Sequence, residues 1–185
     1  MLNKKGKIFV LSGPSGCGKN TVFEGIQQFN KNVAQTVSVT TRAPRTNEKN
    51  GIDYYFVEKE EFLRKIENNE FIEYALYGEN YYGTLKSEVD RLVDNGNIVI
   101  LVIEVQGAAN IKKVMPESKS IFLLPPSLDE LGKRLRSREQ NTEAEINMRM
   151  NIALEEIKFK DSYDFCVLND DLDKCIQDVN DIITK

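Results

Sequence analysis

Gly13-Pro14-Ser15-Gly16-Cys17-Gly18-Lys19 sets three glycines and a lysine between an aliphatic run at residues 8–11 and a helical apolar pattern at residues 19–29. That order suits an anion cradle. Glycines let backbone N–H groups converge on oxyanions, the start of the helix adds its positive end, and the lysine reaches terminal phosphates. A Gly-rich strand-to-helix turn with no ligand is the alternative. The chain departs from the pattern GxxxxGK[ST] at Asn20, which stands where Ser or Thr would place a hydroxyl on Mg²⁺, and Thr21 follows one residue late. A metal would then be held mainly by phosphates and water, with Asn20 or Thr21 as a weak protein contact.

Ser38-Val39-Thr40-Thr41-Arg42-Ala43-Pro44-Arg45, followed by Glu48, Gly51, Asp53 and Tyr54, is a second cluster suited to an anion. Arg42 and Arg45 bracket a proline and present guanidinium forks, and the Tyr54 hydroxyl can donate to the same oxygens. On spacing alone, a solvated loop competes with a second phosphate site. Lys133-Arg134-Leu135-Arg136-Ser137-Arg138, with Arg149 beyond, forms a third basic group. Arg134 and Arg138 would share one helix face, for which solvation is the ordinary reading. Cys17 lies beside a helix start and Lys19, conditions that lower a thiol pKa and would permit oxidative inhibition, but a tolerated small residue is the preferred reading of this position.

Groups like these need a rigid frame. Continuous aliphatic runs at residues 8–11, 98–103, 120–124 and 165–168 read as strands buried on both faces. Helical periodicity lies between them, at residues 19–29 (Val22, Ile26, Phe29), 128–135 (Leu128, Leu131, Leu135) and 146–157 (Ile146, Met150, Ala153, Leu154, Ile157). Alternating strand and helix predicts a parallel sheet covered by helices. Residues 35–83 differ in texture, with Thr, Tyr and Phe in short pieces, and predict a small mixed insertion around one helix at 59–68. The polar, charged stretch 137–145 predicts a mobile flap.

Composition narrows the chemistry. A chain of 185 residues with 41% hydrophobic content can bury one substantial core. Lys plus Arg total 25 against 29 Asp plus Glu, a net charge of −4, which argues against nucleic acid or an anionic membrane as partner. Histidine is absent, which removes imidazole bases, Ser-His-Asp and Cys-His nucleophiles and every His-containing zinc site. Three cysteines, distant and without CxxC spacing, suggest neither a disulfide framework nor a thiolate metal site and point to a reducing cytoplasm. The run at 98–103 falls far short of the roughly 20 residues of a membrane helix, and the basic start has too few apolar residues for a secretory leader. Nothing in the sequence addresses the oligomeric state.

In order along the chain, residues 13–19, residues 38–54, Asn69-Glu70-Phe71-Ile72-Glu73, Asn80-Tyr81-Tyr82-Gly83-Thr84, Val105-Gln106-Gly107 and Leu168-Asn169-Asp170-Asp171-Leu172-Asp173 together resemble the guanylate kinase family. The match runs over residues 7–183. The resemblance implies an α/β, P-loop nucleoside monophosphate kinase fold in a single domain. Its parallel core sheet flanked by helices would take residues 1–34, 84–136 and 150–185, a mixed GMP-binding region residues 35–83, and a lid about 137–149.

The resemblance further implies transfer of the γ-phosphoryl group of ATP to GMP, and to dGMP, with Mg²⁺ as cofactor. ATP would rest on Gly13, Pro14, Ser15, Gly16, Cys17, Gly18, Lys19, Asn20 and Thr21. Asn169 would lie near adenine, a place compatible with a turn-forming Asn-Asp pair. Arg42, Arg45, Tyr54 and Tyr82 would hold the GMP phosphate. Ser38, Glu73 and Thr84 would read guanine, whose N1–H and N2–H₂ suit a carboxylate and whose O6 suits hydroxyl donors.

From the residues alone, Glu73 is an ordinary exposed strand acid. Glu104 ends the run at 98–103, near the carboxyl edge where doubly wound sheets place ligands, and is assigned to the GMP site. Lys19, Arg42, Arg134, Arg138 and Arg149 would neutralise charge during transfer. The chain departs from the family at Asn20, at Val102, where many members carry an acid, and at Glu139, where a glycine follows the second lid arginine. The rival readings are a catalytically silent, guanylate-kinase-like protein-binding module and a kinase for another nucleoside monophosphate.

Overall fold

The computed structural model describes residues 6–137 and 142–185. In chain order these form β1 (Lys7–Ser12), α1 (Lys19–Phe29), β2 (Val33–Gln35), β3 (Val39–Thr40), β4 (Tyr55–Phe56), α2 (Lys59–Glu67), β5 (Phe71–Tyr77), β6 (Asn80–Leu85), α3 (Lys86–Asp94), β7 (Ile98–Val102), α4 (Val105–Val114), β8 (Lys119–Leu124), α5 (Leu128–Arg136), α6 (Glu143–Ile157), β9 (Phe165–Leu168) and α7 (Leu172–Thr184).

The core sheet has the order β2-β7-β1-β8-β9, and every neighbouring pair in it is parallel. Phe9 and Leu11 of β1 and Ile100 of β7 pack against Val22, Phe23 and Ile26 of α1 and Cys175, Ile176, Val179 and Ile183 of α7. The intervening Val10, Val99 and Leu101 face Val89 and Leu92 of α3 and Ala108 and Ile111 of α4. Both faces of these strands are therefore dry, which is why they read as unbroken aliphatic runs. Each fully buried aliphatic side chain contributes about 1.5–3 kcal/mol. β1 lies between β7 and β8, so the glycine loop leaves at the carboxyl edge of three adjacent strands, where open α/β sheets bind ligands.

The parallel sheet agrees with the expectation, and it gains β2, a strand too short to register as a run. The apolar residues of α3, α4 and α7 also form helices, which the periodicity had not marked.

A second sheet, ordered β4-β3-β6-β5, pairs β3 and β4 in parallel and its other neighbours antiparallel. Phe62 of α2 fastens it, stacking on Phe71 at 4.4 Å and on Tyr81 at 5.3 Å between ring centres. β6 carries this sheet through Thr84 and Leu85, two residues into the stretch expected to resume the core. Gln35, expected to open the insertion, instead pairs with Ile100 in the core sheet. In both cases the backbone ladder outruns the change in composition.

α6 begins three residues before its first buried apolar side chain, Ile146. Thr142 accepts from the Glu145 N–H at 3.3 Å, and Glu145 accepts from the Thr142 N–H at 2.7 Å. This capping box makes residues 143–145 helical where the sequence predicted flap. Residues 138–141 of that flap, including Arg138 and Glu139, lie outside the described residues. α6 packs on α5 through Ile146 and Ala153 against Leu131 and Leu135. No helix among the described residues is long and apolar enough to cross a membrane.

Candidate active site

Gly16 and Gly18 hold φ angles of 88° and 96°, a left-handed region that strains any residue with a side chain. Space is also short: a Cβ on Gly18 would stand 2.6 Å from the Asn169 amide nitrogen. Asn169, buried just past β9, donates that amide to the Cys17 carbonyl at 2.7 Å and its N–H to the Leu124 carbonyl at 2.8 Å. Its own carbonyl accepts from Arg134 at 3.1 Å. Asn169 and Arg134 thus brace the loop from the β9 side.

α1 starts at the loop with no side-chain cap and no acidic residue in its first turn, so its leading N–H groups are left to a ligand. Lys19 curls back over the loop, donating to the carbonyls of Gly13 at 2.6 Å and Pro14 at 3.2 Å. Cys17 is fully buried, and burial pushes its thiol up despite nearby Lys19. The redox-sensitive reading of Cys17 fails on that burial.

Facing the loop, Ser15, Asn20, Ser38, Arg42, Arg45, Tyr54, Tyr82, Glu104 and Arg149 line one polar cavity of about 340 Å³. Glu48 accepts two bonds from the Arg42 guanidinium, at 2.8 and 2.9 Å, and the Arg45 N–H at 2.8 Å. Burial raises the Glu48 carboxyl, but these donors outweigh it and hold the group below its ordinary value. The guanidinium also lies 5.5 Å from the centre of the Tyr54 ring, which meets Tyr82 edge-on at 6.1 Å. Glu48 thus braces the Arg42 guanidinium and the Arg45 backbone, although the Arg45 side chain and its neighbours at 43–47 stay exposed.

Next to it, Lys19, Ser38, Glu73, Tyr82, Val102, Glu104 and Gly107 enclose a smaller pocket of about 150 Å³. Glu73 of β5 is buried, which corrects the exposed strand acid read from its neighbours alone. A register irregularity between Phe71 and Glu73 sets Glu73 opposite Thr84 of β6. Thr84 donates its hydroxyl to Glu73 Oε1 at 2.7 Å, so in this structure it serves the carboxylate and not an open pocket. Gly107 of α4 makes room, since a Cβ there would come within 2.9 Å of Glu73 Oε2. Burial pushes the Glu73 carboxyl up to about 7; the Thr84 donors oppose the rise and the charge of Glu104 adds to it.

Other assigned residues separate. Arg134 lies on the far side of the loop, lining a cavity of about 310 Å³ with Gly16, Gly18, Thr21, Ser137 and Asn169, whereas Arg149 lines the cleft shared with Arg42. The two arginines do not meet in one cavity. Thr21 goes with Arg134 and Asn20 with Glu104, so of the two proposed metal contacts Asn20 is the one on the cleft side. Burial raises the Glu104 carboxyl, opposed by Lys19 and Arg149.

Among the described residues no cluster of three or more Asp, Glu or Cys could hold a metal by itself. The oxygen donors that are present, the Asn20 amide and Glu104, fit a small hard cation that arrives already on phosphates. Val102 gives the cavity wall an apolar patch beside them.

Sequence reasoning missed Tyr77 and Glu156, which line the cavity that Glu104 and Tyr82 also border. It quoted Glu48 without giving it a role. Glu156 accepts from the Ser15 N–H at 3.4 Å. Its spacing from Arg149, about two turns along one helix, is the signal that could have found it.

Comparison with known proteins agrees with this geometry. The guanylate kinase family model matches residues 5–185. A guanylate kinase of Clostridioides difficile (strain 630) is 45% identical over 184 residues, covering 100% of this chain and 90% of that protein. One from Halalkalibacterium halodurans is 44% identical over 184 residues, with the same coverage. The crystal structure of guanylate kinase from Anaplasma phagocytophilum superimposes with a TM-score of 0.80 at 38% identity, covering 100% of this chain and 87% of that one. With the glycine loop, the braced arginine cluster and the buried Glu73 all falling inside the matched span, the chain belongs to the guanylate kinase family.

Proposed function

We propose that the protein is an ATP:GMP phosphotransferase whose two anion sites face one another across a single cleft, with GMP selected by Glu73. The observation that carries this reading is the juxtaposition of Lys19, Asn20, Ser38 and Glu73 in one small pocket, with the Arg42 cluster in the cavity beside it. The acceptor phosphate has a second pKa near 6 and is largely dianionic at pH 7, so no general base is needed and the absence of histidine costs nothing.

Catalysis is then alignment plus cancellation of charge. Lys19 and the loop N–H groups hold the donor phosphates, Arg42 with Arg45, Tyr54 and Tyr82 hold the acceptor phosphate, and Arg149 reaches the cleft between them. Glu48 keeps Arg42 oriented. Arg134 acts from beneath the cradle through Asn169, and Arg138 is assigned to the lid by the family pattern. Mg²⁺, contacted by Asn20 and Glu104, would supply charge neutralisation on the triphosphate. Three free cysteines suit a reducing, cytoplasmic setting.

Guanine presents two donors to Glu73, whereas adenine presents an acceptor at N1 that the carboxylate repels. An ATP-dependent acceptor panel of GMP, dGMP, AMP, UMP and dTMP tests the reading. Turnover should be confined to the guanine nucleotides, with AMP rejected by about 10⁴ or more, the scale for a site built to hydrogen-bond its substrate. No conversion of any acceptor would favour a protein-binding module, and a preferred non-guanine acceptor would remove the role given to Glu73.

Asn20 carries its own expectation. The Asn20 side chain is longer than the serine usual at this position and carries its oxygen on a planar amide, so it does not set a donor where that hydroxyl would stand, and wild type should need more Mg²⁺ than Asn20→Ser. Titrating Mg²⁺ against turnover in both proteins checks this; equal half-saturation would remove it.

A further inference from the structure

One backbone N–H of the phosphate cradle already meets a carboxyl group that belongs to the protein. Glu156, near the end of α6, extends its carboxylate to the Ser15 N–H at 3.4 Å across 141 residues of sequence. Backbone N–H groups in such a loop are arranged for phosphate oxygens, so this carboxylate stands in a ligand's place. It shares the neighbourhood with Lys19, which stabilises its charge, and with Glu104, which opposes it; burial and Glu104 together raise the Glu156 carboxyl. A bound triphosphate would bring several more negative charges against the same two carboxylates.

α6 is otherwise tied down through Ile146 and Ala153 on α5. Arg149 lies about two turns before Glu156 on the same face of this helix, and it lines the cleft that holds Arg42.

Resting on the function proposed above, we infer that Glu156 is a positioning residue that engages the Ser15 amide of the cradle, and that the donor triphosphate displaces it, so that phosphate binding and release of the Arg149-bearing helix are one event. The carboxylate competes with the ligand that replaces it. Binding therefore carries the work of breaking this contact, and the freed helix can carry Arg149 toward the transferring group only after the donor is seated. Coupling of this kind follows from a ligand favouring one of two arrangements.

The test compares wild type with Glu156→Gln, an isosteric change that removes the charge, by calorimetric titration with Mg-ATP in the absence of GMP and with inorganic tripolyphosphate. Glu156→Gln should bind both about three- to tenfold more tightly, the scale of relieving one like charge at short range in a partly solvated site. Hydrogen exchange gives a second readout. In wild type, adding ATP should speed exchange at the end of α6 around residues 155–158, while in Glu156→Gln that exchange should already be fast and change little.

A purely structural contact would predict the reverse, weaker binding and a lower melting temperature, and that result would overturn the proposal. So would unchanged affinity. Wild type that bound neither probe would sink the cradle reading itself, which is a different failure from wild type and variant binding alike.

Discussion

Replacing Lys19 with methionine is expected to lower kcat by about 10² or more, the scale of losing one charged contact made in the transition state. Methionine keeps the length and the aliphatic stem but removes the ammonium. In the structure that ammonium bridges the Gly13 and Pro14 carbonyls, so it also closes the loop on itself. The loss should therefore combine a missing positive charge with a looser cradle, and the melting temperature separates the two. A coupled assay of ADP release measures the effect, and turnover within a few-fold of wild type would contradict the role given to Lys19. Lys19→Arg is expected to recover little, because a planar fork does not reproduce a compact ammonium at a crowded loop.

Glu73→Gln should cut kcat/KM for GMP by about 10² or more, since two hydrogen bonds to a charged acceptor are worth roughly 1.5–3 kcal/mol each. The same substitution should make the empty protein more stable. With its carboxyl pushed up to about 7 from an ordinary 4.5, folded Glu73 binds more protons than unfolded Glu73 between those values. Stability is then lost as pH rises through that window, and the loss is complete above it. A rise of this size corresponds to roughly 3 kcal/mol at alkaline pH.

Glutamine, neutral at every pH, escapes the penalty. Urea denaturation should show little difference between the two proteins at pH 4 and a clear advantage for Glu73→Gln at pH 8. Equal stability at pH 8 would mean that Glu73 is not the costly buried acid described here. Wild-type GMP affinity should for the same reason weaken as pH falls below about 7, the base needing the ionised carboxylate. Activity and stability pull against each other at this residue, as happens where a binding site carries an uncompensated charge.

Much of the frame could be read from the chain. The run at 165–168 and the pattern at 19–29 coincide with β9 and α1 because each is bounded by residues that end an element sharply: glycine before α1, and Asn169-Asp170 after β9. α7 escaped because it follows directly on the Asn169-Asp170 pair, which reads as a turn, although Asp171 in fact caps the helix by accepting the Lys174 N–H at 2.8 Å. α3 and α4 escaped for another reason. α3 offers few large apolar residues beyond Val89 and Leu92, and α4 fills its buried face partly with Gly107 and Ala108, so the pattern is faint and packing against the sheet decides the conformation.

The site divides in the same manner. The cradle, the arginine cluster and Glu73 are local in sequence or fixed by family pattern. The Glu156 to Ser15 contact, the Asn169 latch on Cys17 and the separation of Arg134 from Arg149 depend on which elements the sheet order makes neighbours, and no local periodicity reports that.

On the role proposed for Glu73, base choice rests on strand alignment. The irregularity between Phe71 and Glu73 decides which side chain faces Thr84, and a one-residue slip would present Ile72 or Tyr74 instead. The distal turn is free of that constraint: Gly78, with φ of 61°, has open space around it. Peptide tags or extra loop residues grafted between Gly78 and Glu79 should leave nucleobase preference intact, whereas deleting a single residue upstream of Glu73 should scramble it without touching any group that contacts phosphate.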